Sequence, residues 1–120
     1  MSGGKSLKQL GNIAIVGAMV GTTAPAVADT AMTAGTLVER LPVSERYTYV
    51  AGVIDGLAYA RFQKDTAAAG EKSEDGMICI YDWFYKGENT FETIDTAFKT
   101  YGEHLPSTLV ATLAQRECGD

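Results

Sequence analysis

Residues 1–28 read as an export leader, and what they leave behind is the strongest constraint on the fold. Lys5 and Lys8 give a positive start, an apolar small-residue stretch runs from Ile13 to Val20, and Ala24-Pro25-Ala26-Val27-Ala28 follows. Small residues at Ala26 and Ala28 suit the −3 and −1 subsites of signal peptidase, so cleavage is expected before Asp29. The apolar stretch is too short and too rich in glycine for a good membrane span. The mature chain is then 92 of the 120 residues, exported to a bacterial periplasm with no span left after cleavage. So few residues allow one small core, hence a single domain over 29–120.

A core that small benefits from a covalent staple, and the chain offers one. Cys79 and Cys118 are the two cysteines, both in the mature part. In an oxidising compartment an even pair is expected to close a disulfide. The tied loop would contribute about 4 kcal/mol by loop-closure entropy, comparable with the whole stability of such a domain. A reactive thiol or a metal pair is the weaker reading, since there is no C-x-x-C and His104 is the only histidine.

The hydrophobic spacing is helical throughout the mature part, with no sustained period-2 alternation. The expected fold is an all-α compact bundle of four or five helices with one intrachain disulfide. A short helix over 31–41 places Leu37, Val38 and Leu41 on one side and is stopped by Pro42. Ser44 is read as the N-cap of the longest helix, about 45–66, with Val50, Ile54, Leu57, Ala58 and Phe62 at spacings of three and four. Gly52 and Gly56 lie within it at a cost of about 1 kcal/mol each against alanine, so they are expected to mark close approach of another helix. Residues 66–76 read as a polar loop. A third helix begins near Met77 and ends at Gly87. Asn89 and Glu92 read as a capping pair for a helix carrying Ile94, Ala97, Phe98 and Tyr101, closed by Gly102. Pro106 suits the first turn of the last helix, whose stripe is Leu109, Val110, Leu113 and Ala114.

Charge narrows the partners. After cleavage eight Lys and Arg face fifteen Asp and Glu, a formal charge of −7. Such an acidic surface repels nucleic-acid backbones and anionic lipid, and fits solubility or a basic protein partner.

Few residues suggest reaction chemistry. His104 sits in a Gly-Glu-His-Leu-Pro connection, where Ser107 or Thr108 could be its nucleophile, but nothing supplies an orienting group or an oxyanion hole. A polar turn residue is the better reading, and no enzyme activity, cofactor or metal site is expected. Asp55 lies between Ile54 and Gly56, so it needs a partner such as Arg61, Arg46 or a tyrosine hydroxyl if it is partly buried. Glu71, Glu74 and Asp75 lack the alternating spacing of a calcium loop and read as a solvated segment. The run Tyr81-Asp82-Trp83-Phe84-Tyr85 is different. On a helix Tyr81, Phe84 and Tyr85 share a face while Trp83 points elsewhere, either packed under a loop or exposed as an anchor for a partner.

Taken together, Tyr49-Val-Ala-Gly-Val-Ile-Asp-Gly56, Ile78-Cys79, Ala97-Phe98-x-x-Tyr101-x-x-His104, Pro106, Leu109-Val110-Ala111-x-Leu113 and Cys118 resemble the Rap/Tai family. These are periplasmic immunity proteins against the peptidoglycan amidase effectors of type VI secretion. The resemblance spans about 70 residues. A further cysteine common in that family before the Tyr-x-x-Gly segment is missing from 44–48, and Leu105 separates His104 from Pro106. The resemblance implies stoichiometric inhibition of a cell-wall amidase toxin, with Trp83, Tyr85 and the acidic residues Glu71, Glu74 and Asp75 as candidate partner-binding positions. Self-association into a homodimer is an alternative partnership.

The competing readings are an acid-stress chaperone of the HdeA type and an envelope accessory protein. In acid the mature chain would swing from −7 toward +9 as its carboxylates are neutralised, counting His104 as charged, and the repulsion could open the fold.

Overall fold

The computed structural model describes residues 32–120. The expected leader and its cleavage site lie outside the described residues. Five helices follow in order: α1 (Ala34–Arg40), α2 (Val43–Ala69), α3 (Asp75–Lys86), α4 (Thr90–Thr100) and α5 (Pro106–Cys118). No strand occurs among the described residues. The all-helical architecture expected from the spacing is therefore the one observed.

Local chemistry explains most of the boundaries and corrects several expected ones. Thr33 caps α1 by accepting from the Thr36 backbone N–H at 3.3 Å. Leu41 adopts the extended conformation that a following proline imposes, which ends α1. Ser44 is not the cap of α2. The helix starts two residues earlier, at Val43, with Pro42 as N-cap and its carbonyl accepting from Glu45 and Arg46 at 3.0 Å. Helix α2 also runs past 66, because Ala67, Ala68 and Ala69 are strong helix formers; it stops at Gly70, whose φ of 75° is left-handed. The polar loop shrinks accordingly to 70–74, fastened where Ser73 N–H donates to Thr66 Oγ1.

Two expected caps work differently. Gly87 follows α3 with φ −76° and ψ 145°, so it is not a left-handed terminator. Glycine is needed there for space. A Cβ would fall 2.5 Å from Thr90 Oγ1, which donates to the Trp83 carbonyl at 2.7 Å. Asn89 makes no side-chain cap with α4; it supplies a left-handed turn at φ 63°, which asparagine tolerates better than most residues. The expected pairing with Glu92 is replaced by Thr93 Oγ1 donating to the Asn89 carbonyl.

The core is Leu37 from α1, Val50, Ile54 and Ala58 from α2, Ile80 and Phe84 from α3, Ile94 and Phe98 from α4, and Val110 from α5. Each large apolar side chain buried here contributes about 1.5–3 kcal/mol. The long α2 packs along α3, while α1 lies against α4 and α5 closes on α2, α3 and α4. Cys79 on α3 and Cys118 at the end of α5 form the expected disulfide, with Cα atoms 5.9 Å apart.

Close backbone approach does occur, but not where Gly52 and Gly56 stand. Both face outward, and an added Cβ would meet nothing within 4 Å. The pair that needs glycine is Gly35 with Gly102. Gly35 N–H donates to the Gly102 carbonyl at 2.9 Å, and Ala34 N–H donates to the His104 carbonyl at 2.8 Å. The α4–α5 connection thus satisfies unpaired N–H groups at the start of α1. Gly102 lies beyond the end of α4, whose C-cap is Tyr101.

Candidate functional site

The helix spacing of α3 brings Tyr81, Phe84 and Tyr85 to one face, and packing adds aromatics from two other helices. Phe84 is buried at the base. Tyr47 of α2 lies over it, with ring centroids 5.4 Å apart, and touches Phe91 of α4 at 5.2 Å. Tyr85 meets Phe84 edge-on at 4.9 Å and lies nearly parallel to Tyr81 at 6.3 Å. The outer members are open to solvent, Tyr85 by 54 % and Tyr47 by 41 %. Aromatic rings held this way offer large contact area at small entropic cost, which is why they recur as binding anchors.

At the edge of this face the Tyr81 hydroxyl donates to Asp55 Oδ1. Asp55 is exposed, so the tyrosine partner allowed by the sequence is real while burial is not. The bond to the carboxylate is the main reason the Tyr81 hydroxyl is pushed above its ordinary value.

The other candidate residues are dispersed. Trp83 is half-buried against the core on the far side of α3, beside Gly87, Thr90, Leu113 and Arg116. Glu71, Glu74 and Asp75 cluster at the start of α3, about 15 Å along the helix axis from Tyr85 at 1.5 Å per residue. Glu74 pairs there with Lys72 at 3.3 Å. The expected partner-binding set is therefore split, and only Tyr85 belongs to the aromatic face.

His104 is exposed, with Nε2 3.5 Å from Glu103 and its ring 6.3 Å from Tyr101. Its side chain has no hydrogen bond with Ser107 or Thr108 among the described residues. It borders a shallow groove between α4 and α5 with Tyr101, Thr108, Thr112 and Arg116. Among the described residues no group of three His, Cys, Asp or Glu could hold a metal ion, and no helix is long and apolar enough to cross a membrane.

No family model, curated protein or solved structure matches the chain.

Tyr47 and Phe91 were not legible as parts of this surface. They come from α2 and α4, and no spacing rule connects residues on separate helices. Asp95, the buried partner of Arg46 on a different helix, was not legible for the same reason.

Proposed function

We propose that the protein is a non-catalytic binding protein of the bacterial periplasm that occupies a protein partner. The model for its action is the immunity protein that silences a peptidoglycan amidase toxin. One observation carries this reading: Tyr47 of α2 and Tyr81 and Tyr85 of α3 gather around the buried Phe84, with Tyr47 and Tyr85 open to solvent. A face of this kind buries well against a second protein, and the acidic surround favours a basic one.

The acid-chaperone reading is the poorer one. It needs a fold that opens in mild acid, whereas Arg46 holds the buried Asp95 carboxyl below its ordinary value of 3.8. The interior charge pair therefore resists opening until the medium is strongly acidic.

The test is to express the full chain with a carboxy-terminal tag, recover it from periplasmic extract at neutral pH, and identify what remains bound. A one-to-one complex with a cell-wall amidase, inhibited in that complex and released by a Tyr47→Ala, Tyr85→Ala double variant, is the expected result. Inhibition that survives the double variant would remove the aromatic face from the proposal. An amidase with full activity in the presence of the protein would end the immunity reading.

A further inference from the structure

At the edge of the aromatic face stands a carboxylate that has no counter-charge among the described residues. Asp55 projects from the middle of α2, one oxygen accepting the Tyr81 hydroxyl. Its second oxygen has no hydrogen-bond partner among the described residues, and Asp55 belongs to none of their ion pairs. The arginines of α2 are committed elsewhere. Arg46 binds Asp95 and Arg61 binds Asp65, each at 2.8 Å. On α3, Lys86 pairs with Asp82 at 3.2 Å. Tyr81, which holds this carboxylate, lies beside Tyr85, with ring centroids 6.3 Å apart and planes inclined by 25°, and Tyr85 is 54 % exposed.

We propose that Asp55, Tyr81 and Tyr85 form a receptor for one arginine side chain of the bound protein. This rests on the binding reading above and names the partner's chemistry. A guanidinium is planar, weakly hydrated and always charged, so it can lie against a tyrosine face while donating sideways to a carboxylate. A lysine ammonium can do the second but has no plane with which to stack. The Tyr81 hydroxyl fixes the Asp55 carboxylate before the ligand arrives, so less freedom is lost on binding. The acidic net charge of −5 for the full chain favours approach of a cationic partner.

The probe is a capped Gly-Arg-Gly tripeptide titrated into the full chain, read by the ring resonances of Tyr81 and Tyr85. Matched tripeptides with citrulline or lysine replace the arginine. The expected result is a saturable shift at millimolar concentration with arginine, several-fold weaker with lysine and lost with citrulline. Asp55→Asn should weaken arginine binding about tenfold, or about 1.4 kcal/mol, and Tyr85→Ala should do likewise. The Phe98 ring resonances serve as a check that both variants remain folded. Equal shifts from arginine and citrulline, or an Asp55→Asn variant that binds as tightly as the parent, would overturn the proposal. The two readings fail separately. An amidase captured equally well by the Asp55→Asn variant keeps the binding function and refutes the arginine receptor, whereas a selective tripeptide response without any inhibited amidase supports the receptor and refutes immunity.

Discussion

Arg46 grips both oxygens of Asp95, Nε to Oδ1 at 2.8 Å and Nη2 to Oδ2 at 3.0 Å, across 49 residues of sequence. The pair is buried, with Arg46 6 % and Asp95 7 % exposed. The same guanidinium donates through Nη1 to the Leu41 carbonyl at 2.6 Å, at the end of α1. One side chain of α2 therefore ties α1 to α4, and Lys99 adds a second cation 3.4 Å from Asp95 Oδ2.

Removing one partner strands a buried charge. Arg46→Met is expected to destabilise the fold by about 3 kcal/mol or more, while the paired replacement Arg46→Met, Asp95→Leu should cost much less. Urea midpoints of the parent, both single variants and the double variant check this. A double variant less stable than the sum of the singles would contradict it.

The pair also sets an acid dependence. The Arg46 hydrogen bonds lower the Asp95 pKa in the folded state, and Lys99 adds to that. A carboxylate with a lowered folded pKa contributes stability that is full above its unfolded value, about 3.9. That contribution fades as the pH falls through the lower folded value. Thermal melts should change little on this account between neutrality and pH 5, then drop below about pH 4. Asp95→Asn should flatten this acid limb.

The Cys79–Cys118 bridge closes a separation of 39 residues and holds the end of α5 to α3. Arg61 reinforces that end, donating to the Gly119 carbonyl at 3.0 Å and the Cys118 carbonyl at 3.3 Å. Reduction is expected to lower stability by about 4 kcal/mol. For a domain of this size that is a fall in Tm of roughly 15–30 °C. Calorimetry with and without a reductant measures it, and a shift of only a few degrees would show that packing alone holds α5.

Glycine substitutions should separate into two classes. At Gly52 and Gly56, where an added Cβ meets nothing within 4 Å, alanine is expected to stabilise the exposed helix by about 0.5–1 kcal/mol each. Alanine at Gly87 would drive a Cβ into the Trp83 carbonyl oxygen, and at Gly35 would place one 3.2 Å from the Gly102 oxygen. Both should lower Tm, Gly87→Ala more.

Tyr81 should be the tyrosine that reports on Asp55. Its hydroxyl pKa is raised chiefly by the bond to that carboxylate, so Asp55→Asn should bring it down toward the ordinary value of 10.0. Ultraviolet titration of tyrosinate in parent and variant reads the change. The stability this bond supplies is full below the unfolded pKa and is lost as the pH rises through the higher folded one.

The sequence by itself determined the helical class, a count of four or five helices and the cysteine pair. Those features are local or arithmetic: Val50, Ile54 and Ala58 repeat at helical spacing, and two cysteines in one chain have one intrachain pairing. Even the face shared by Tyr81, Phe84 and Tyr85 follows from 3.6 residues per turn. Tertiary structure decided which local signals mattered. Gly52 and Gly56 resembled a packing seam, but the face of α2 that carries them is turned away from the other helices. Gly35 and Gly102, 67 positions apart, make the close contact instead. Trp83 went to the core side of α3, and Arg46 found Asp95 in place of Asp55. Tyr47 joined the α3 aromatics only because α2 packs against α3, and Phe91 of α4 joined them through Tyr47. Each of these outcomes depends on distances between residues far apart in sequence, which spacing along one helix does not encode.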